Sequence, residues 1–256
     1  MKHLFSNTGQ YALQQVLRLR PLMAFDFDGT LAPIVARPDD ARVSSAISHR
    51  LRHIAEHLPV AIVTGRRVAD VADRLGFEPQ FIVGSHGAED PQAETAQALI
   101  EALGGLRARL AARTAQTQAA GVFVEDKAYS IALHFRLARD RAAAESLIED
   151  LLRDLEPDLR VFGGKCVVNV VPRHAPDKGD AVMSLVARTG SQAAVFVGDD
   201  LNDEAVFERA PPHWLTVRIG RDDPHSRAVY FLDSHAEMAT LLQEVVDFLN
   251  AGAAAR

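Results

Sequence analysis

Cysteine is nearly absent: the 256-residue chain has one, Cys166. One cysteine cannot close an internal disulfide, so nothing in the sequence calls for an oxidising compartment. Long apolar runs are missing too, none approaching the roughly 18 residues that a membrane-crossing helix needs. Residues 1–20 alternate polar and apolar side chains and lack the unbroken apolar stretch of a signal peptide. There is no basic excess: 28 Lys and Arg stand against 34 Asp and Glu, for a net charge of −6. A duplex-binding protein usually carries the opposite balance. The same arithmetic means that an anionic ligand must be met by a few placed cations or a metal, not by the overall field. Low-complexity tracts are absent, which excludes collagen-like, mucin-like and prion-like classes. Together these absences predict a cytoplasmic, soluble protein with neither nucleic acid nor membrane as partner. Nothing demands more than a monomer.

What is present is an average globular balance of 48% apolar and 24% charged residues. Short apolar runs ending in Gly, Asp or Thr read as buried parallel strands at residues 22–27, 60–64, 81–84, 193–198 and 215–219. Amphipathic stretches at 44–57, 68–75, 178–188, 201–209 and 234–249 read as helices. That alternation predicts an α/β fold, a Rossmann-like doubly wound parallel sheet with its site beyond the carboxyl ends of the strands.

The middle breaks the rhythm. Helical patterns at 91–113 and 140–155 are each followed by two strand patterns, at 121–125 and 129–136, then at 160–162 and 165–171. This weak duplication predicts an inserted α+β domain, an antiparallel sheet with two helices on one face. The expected boundaries are a discontinuous core at 1–88 and 173–256 and an insert at 89–172. In the strand around residue 131, Tyr129, Ile131, Leu133 and Phe135 fall on an apolar face. Ser130, His134 and Arg136 fall on the other, expected to be open and cationic. Cys166 is expected in an apolar strand as a small core residue.

Four segments carry chemistry. Asp26-Phe27-Asp28-Gly29-Thr30 places two carboxylates at a strand's carboxyl end. Such a pair can bind Mg²⁺, attack phosphorus and handle a proton; an ordinary Asp–Gly turn is the plainer alternative. Thr64-Gly65-Arg66 offers a hydroxyl and amides for an anion, and serves equally as a helix cap. Asp177-Lys178-Gly179-Asp180 supplies a cation at a helix start. Gly198-Asp199-Asp200-Leu201-Asn202-Asp203 crowds carboxylates that would repel one another without a cation.

In this order the four segments resemble the haloacid dehalogenase (HAD) superfamily of phosphohydrolases. The resemblance implies Asp26 as nucleophile and Asp28 as general acid/base. It implies Thr64, Gly65 and Lys178 around the phosphoryl group. Mg²⁺ would be held by Asp26, the Asp28 backbone carbonyl and Asp199, with Asp200 and Asp203 in support. Residues 125–136, together with Gly84-Ser85-His86-Gly87-Ala88-Glu89 and Gly164-Lys165-Cys166-Val167-Val168, resemble the cap of trehalose-6-phosphate phosphatases. That implies a phosphosugar substrate, an aspartyl-phosphate intermediate and a cap that closes over the sugar. Glu125, Lys127, Ser130, His134, Arg136, Lys165 and Asn169 would contact it, with His86 and Gly87 at a hinge or on the substrate. Asn169 departs from the family's usual Glu: it keeps hydrogen bonding to hydroxyls and loses a charge. Two alternatives stand beside this reading. One is a phosphatase for another sugar or polyol phosphate. The other is a phospho-accepting receiver-like module, which is about half this length and has no large insert.

Overall fold

A computed structural model of the chain describes residues 1–92, 97–164 and 166–254. The first part runs β1 (Lys2–His3), α1 (Asn7–Arg18), β2 (Leu22–Phe25), α2 (Ser45–Ala55), β3 (Val60–Val63), α3 (Val68–Ala72) and β4 (Phe81–Val83). The middle holds α4 (Gln97–Ala102), α5 (Gly104–Ala112), α6 (Thr114–Ala119), β5 (Phe123–Asp126), β6 (Ile131–His134), α7 (Arg141–Leu152), β7 (Leu159–Gly164) and β8 (Val167–Pro172). The last part is α8 (Lys178–Thr189), β9 (Ala194–Gly198), α9 (Glu204–Arg209), β10 (Leu215–Ile219), β11 (Tyr230–Leu232) and α10 (Met238–Ala254).

The chain forms two compact units, one from Met1–Pro91 with Pro176–Arg256 and one from Gln92–Ala175. The first is built on a seven-stranded sheet in the order β1-β11-β10-β9-β2-β3-β4. Every pairing in it is parallel. The expected doubly wound sheet is therefore observed. Strands β2, β3 and β9 are buried along their whole length, as helix-covered parallel strands must be. Strand β2 lies between β9 and β3, where the connection order reverses, and the carboxyl ends of β2 and β9 open together there.

Two strands at one side of the sheet, β1 at its edge and β11 next to it, escape the sequence reading because they are two and three residues long. They pair with each other in parallel. Helix α1 follows β1 at once, and its Leu13, Val16 and Leu17 enter the main core. Helix α8 opens on a reciprocal Asp177–Asp180 capping box and closes on a left-handed Gly190, so its ends are set by local chemistry.

The second unit is an antiparallel sheet in the order β5-β6-β8-β7. Leu103, Leu106 and Leu110 from the α5 region and Ala144, Ile148 and Leu151 from α7 share one apolar cluster with Ile131, Leu133 and Val170. Several expectations are corrected here. The helix expected over 91–113 is three short helices reaching Ala119, because the Gly104-Gly105 pair and a cap at Arg113 interrupt it. Part of that expectation, residues 93–96, lies outside the described residues, as does Lys165. Cys166 sits in the turn between β7 and β8 at φ 62°, not in a strand, and is half-buried against the apolar cluster. The unit boundary also falls a few residues later than 88. Glu89 accepts from Val68 N at 3.0 Å and donates its own amide to Gly84 O at 3.1 Å, which ties it to the first unit. Arg173 bonds Pro157 O and Leu159 O, at 3.0 and 3.2 Å, within the second.

Ile62 is fully buried in β3. Ile62→Ala should lower unfolding free energy by about 2–5 kcal/mol, read as a lower urea midpoint with unchanged slope. A loss near zero would mean that β3 is not a central core strand.

Candidate active site

Strand β2 delivers Asp26 to the point where the sheet opens. The Asp26 amide donates to Val197 O at 2.9 Å, which locks the end of β2 to β9. The chain then turns: Leu31 N and Ala32 N both donate to Phe27 O, at 3.0 and 2.9 Å. Gly29 stands at φ +84°, and a Cβ there would lie 2.1 Å from Asp199 Oδ2. Only glycine lets this loop back against the Asp199 carboxylate.

Lys178, the first residue of α8, is 1% exposed. Its ammonium donates to Asp26 Oδ1 at 2.6 Å and to Asp203 Oδ1 at 2.7 Å. Asp203 is fully buried, and its second oxygen accepts from Asp199 N at 2.9 Å and Asp200 N at 3.0 Å. Burial pushes the Asp26 carboxyl well above its ordinary range; Lys178 opposes this, while Asp203 and Asp199 add to it. Burial pulls Lys178 the other way, but the two carboxylates outweigh it and hold the ammonium charged.

Oxygens of Asp26, Asp199 and Asp203 lie within 4.8 Å of one another. One buried ammonium bonds two of these three carboxylates, and the donor set is all oxygen. That set suits a hard divalent cation. Asp200 stands apart, its Oδ1 accepting from Leu201 N at 2.8 Å.

Asp28 is held differently. Arg66 grips its carboxylate with two hydrogen bonds, Nε to Oδ2 at 2.7 Å and Nη2 to Oδ1 at 2.8 Å. The same guanidinium donates to Asp70 Oδ2 and to Pro38 O, both at 2.8 Å, and lies 5.2 Å over the Phe27 ring. Arg74 holds Asp70 from the other side at 2.5 Å. Burial raises Asp70, but bonds from Arg66 and Arg74 outweigh it and hold the carboxyl below its ordinary range. Sequence reasoning left Arg66 without a role. The signal available was its i+4 spacing to Asp70 and that of Asp70 to Arg74.

Thr64 is buried at the end of β3, and its hydroxyl accepts from Arg66 N at 3.1 Å. A Cβ on Gly65 would lie 2.4 Å from the His86 ring. Ser85 and His86 both adopt left-handed backbone, at φ 49° and 60°. Bonds from their amides to Arg66 O and Thr64 O, at 2.8 and 2.9 Å, hold that geometry. Gly87 follows at φ +114°.

In the second unit, Glu125 accepts from His134 Nε2 at 2.8 Å and lies 3.6 Å from Lys127 Nζ. Burial raises Glu125, but the His134 bond and Lys127 outweigh it and hold it below the usual carboxylate range. The register sets Glu125, Ala132, Asn169 and Phe162 side by side. The polar face is therefore not simply open and cationic. Glu125 offsets its charge, and Lys127, Ser130 and Asn169 are buried, while Arg136 is exposed.

The fold is that of HAD phosphohydrolases. The C. albicans trehalose-6-phosphate phosphatase C-terminal domain superposes with a TM-score of 0.76 at 21% identity, over 93% of this chain and 96% of that one. A trehalose-6-phosphate phosphatase related protein gives 0.75 at 23% identity, over 90% and 99%. The family is then set by sequence. The Trehalose-phosphatase family model matches residues 24–235, and the chain belongs to that family. A probable trehalose-phosphate phosphatase of Sinorhizobium fredii is 38% identical over 214 residues, 80% of this chain and 79% of that protein. The trehalose-phosphate phosphatase of Mycobacterium marinum is 33% identical over 236 residues, 86% of this chain. The chain spans 60% of that relative's length. Among the described residues no helix is long and apolar enough to cross a membrane.

Lys178→Met would strand Asp26 and Asp203 without their buried cation. It should cost about 3–5 kcal/mol in urea unfolding at neutral pH. A cost below about 1 kcal/mol would mean that the three groups do not depend on one another.

Proposed function

We propose that the chain is a Mg²⁺-dependent phosphomonoesterase that hydrolyses trehalose 6-phosphate to trehalose and phosphate. The observation that carries this reading is the buried Asp26–Lys178–Asp203 contact, with Asp28 two residues on. Asp26 Oδ1 is occupied by Lys178, which leaves Oδ2 as the attacking atom. That oxygen forms a bond to phosphorus while the phosphorus–sugar oxygen bond breaks. Asp28, with one oxygen released from Arg66 and carrying a proton, gives that proton to the departing sugar oxygen. The Asp28 carboxylate then takes a proton from water, whose oxygen attacks phosphorus and releases the Asp26 carboxylate and inorganic phosphate. Lys178 holds the Asp26 carboxylate in one orientation throughout and offsets charge near the phosphoryl oxygens. Thr64 and Gly65 offer a hydroxyl and an amide to the same group.

Mg²⁺, held by Asp26, the Asp28 backbone carbonyl and Asp199, would supply charge neutralisation at the phosphoryl oxygens. Asp200 and Asp203 act in support, since their oxygens already bind Leu201 N and Lys178. Arg66 is assigned to orienting Asp28. Sugar recognition is assigned to Glu125, Lys127, Ser130, His134, Arg136, Lys165 and Asn169. Two observations support that. The Ser130 hydroxyl is buried without a hydrogen-bond partner among the described residues, and Glu125 and His134 form a paired donor and acceptor suited to hydroxyls. His86 and Gly87 order the loop beside Thr64. The inserted unit is the specificity domain, and the chain acts as a soluble cytoplasmic monomer.

A panel of purified phosphosugars, with released phosphate measured with and without Mg²⁺ and a chelator, tests this directly. Trehalose 6-phosphate should be the preferred substrate, and the chelator should abolish release. Preference for sucrose or glucose phosphates would overturn the substrate assignment. Asp26→Asn should remove turnover, and Asp28→Asn should cost on the order of 10²–10⁴-fold in kcat. Arg66→Ala should lower kcat by up to about 10²-fold with KM nearly unchanged, and Arg66→Lys should restore part of it. A raised KM with normal kcat would place Arg66 on the substrate instead.

A further inference from the structure

A second cluster of metal-ligating side chains lies at the far end of the same unit. Helix α2 ends at Ala55 and leads into the amino end of β3, whereas Asp26 and Asp199 stand at carboxyl ends of strands. His53 and His57 are one turn apart at this helix end, with Glu56 between them. Their rings lie 5.0 Å apart, centre to centre. One ligand atom from each of His53, Glu56 and His57 falls within 4.8 Å of the others. We propose that His53, Glu56 and His57 form a binding site for a transition-metal dication such as Zn²⁺, separate from the catalytic carboxylates.

The argument rests on which ring nitrogens are already used. His53 Nε2 lies 3.1 Å from Asn250 Oδ1, an atom that only accepts. His57 Nδ1 lies 3.1 Å from the His53 carbonyl oxygen, which also only accepts. Each neutral ring therefore spends its N–H on an oxygen and keeps the lone pair on its other nitrogen. Metal-bound histidines are held in this way, one nitrogen anchored to a carbonyl and the other ligating. The free lone pair of His53, on Nδ1, faces Glu56 Oε2 at 3.6 Å. That is too long for a hydrogen bond. A tetrahedral Zn²⁺ with bonds of about 2.0–2.1 Å sets neighbouring ligands about 3.3–3.4 Å apart. The end of α2 adds the negative pole of a helix, which favours a cation. A shallow depression lined by Glu56, His57 and Glu78 leaves room for water or a further ligand.

A superficially similar cluster makes the contrast. His3 stands 3.4 Å from Asp233 and 3.5 Å from Glu237. Its Nδ1 accepts from Phe5 N at 3.2 Å, so Nε2 carries the proton and donates it toward the carboxylates. That ring spends its lone pair on Phe5 N and turns its one N–H toward the carboxylates, so no lone pair is aimed at a metal.

Calorimetric titration of the full chain with Zn²⁺, in the presence of saturating Mg²⁺, tests the site. The wild type should take up one more equivalent than either His53→Gln or His57→Gln, or bind it at least tenfold more tightly. Glu56→Gln should weaken the same equivalent, and all three variants should retain wild-type phosphate release. Identical stoichiometry and affinity in the wild type and both histidine variants would overturn the proposal. So would the absence of any Zn²⁺ uptake by the wild type.

Discussion

A lysine ammonium buried between two aspartates holds this site together. Lys178 reaches Asp26 from one direction and Asp203 from another, and all three are removed from water. None of the three charges is tolerable alone at that depth. Together they join three parts of the chain that are far apart in sequence: the end of β2, the start of α8 and the loop after β9. The remaining oxygen of Asp203 gathers the amides of Asp199 and Asp200, so the Lys178 contact also sets the loop that carries Asp199. The seven-stranded sheet serves this arrangement by placing β2 beside β9 where the strand order reverses.

The two carboxylates of the Asp26-Phe27-Asp28 segment are given different surroundings by neighbouring residues. Asp26 is buried on an ammonium, with other carboxylates close by, which keeps one oxygen fixed and the other available. Asp28 points to a network of guanidinium groups running Arg66, Asp70, Arg74 and is more exposed. The split arises because the chain leaves the strand here: β2 ends at Phe25 and the backbone turns at Phe27, whose ring is fully buried with the Arg66 guanidinium over its face. Under the proposed function, the fixed carboxylate of Asp26 would serve as nucleophile and the more exposed Asp28 as proton carrier.

Much of this was legible in the residues. The core strands are short continuous apolar runs bounded by turn residues, the pattern of buried parallel strands. Asp26, Lys178 and Asp199 each follow such a run or open a capped helix, so their convergence follows from topology. Other parts were hidden for physical reasons. Strands of two and three residues, as in β1 and β11, carry no periodicity. The helical stretch after residue 96 reads as one helix because its apolar spacing persists across Gly104-Gly105, although the backbone does not. The grip of Arg66 on Asp28 spans 38 residues and depends on the loop geometry around Gly29, which no local pattern encodes. Alternation separates Ile131 and Leu133 from His134, but it says nothing about which side chains are buried or which charges cancel, and Glu125 offsets part of the expected cationic face.

The central claim is that Asp26 forms a covalent bond to phosphorus before water does. The stereochemical course at phosphorus tests it most directly, using a trehalose 6-phosphate whose phosphorus is made chiral with oxygen isotopes. Two successive in-line displacements predict retention of configuration in the phosphoryl group. Inversion would mean a single displacement by water and would contradict the role given to Asp26.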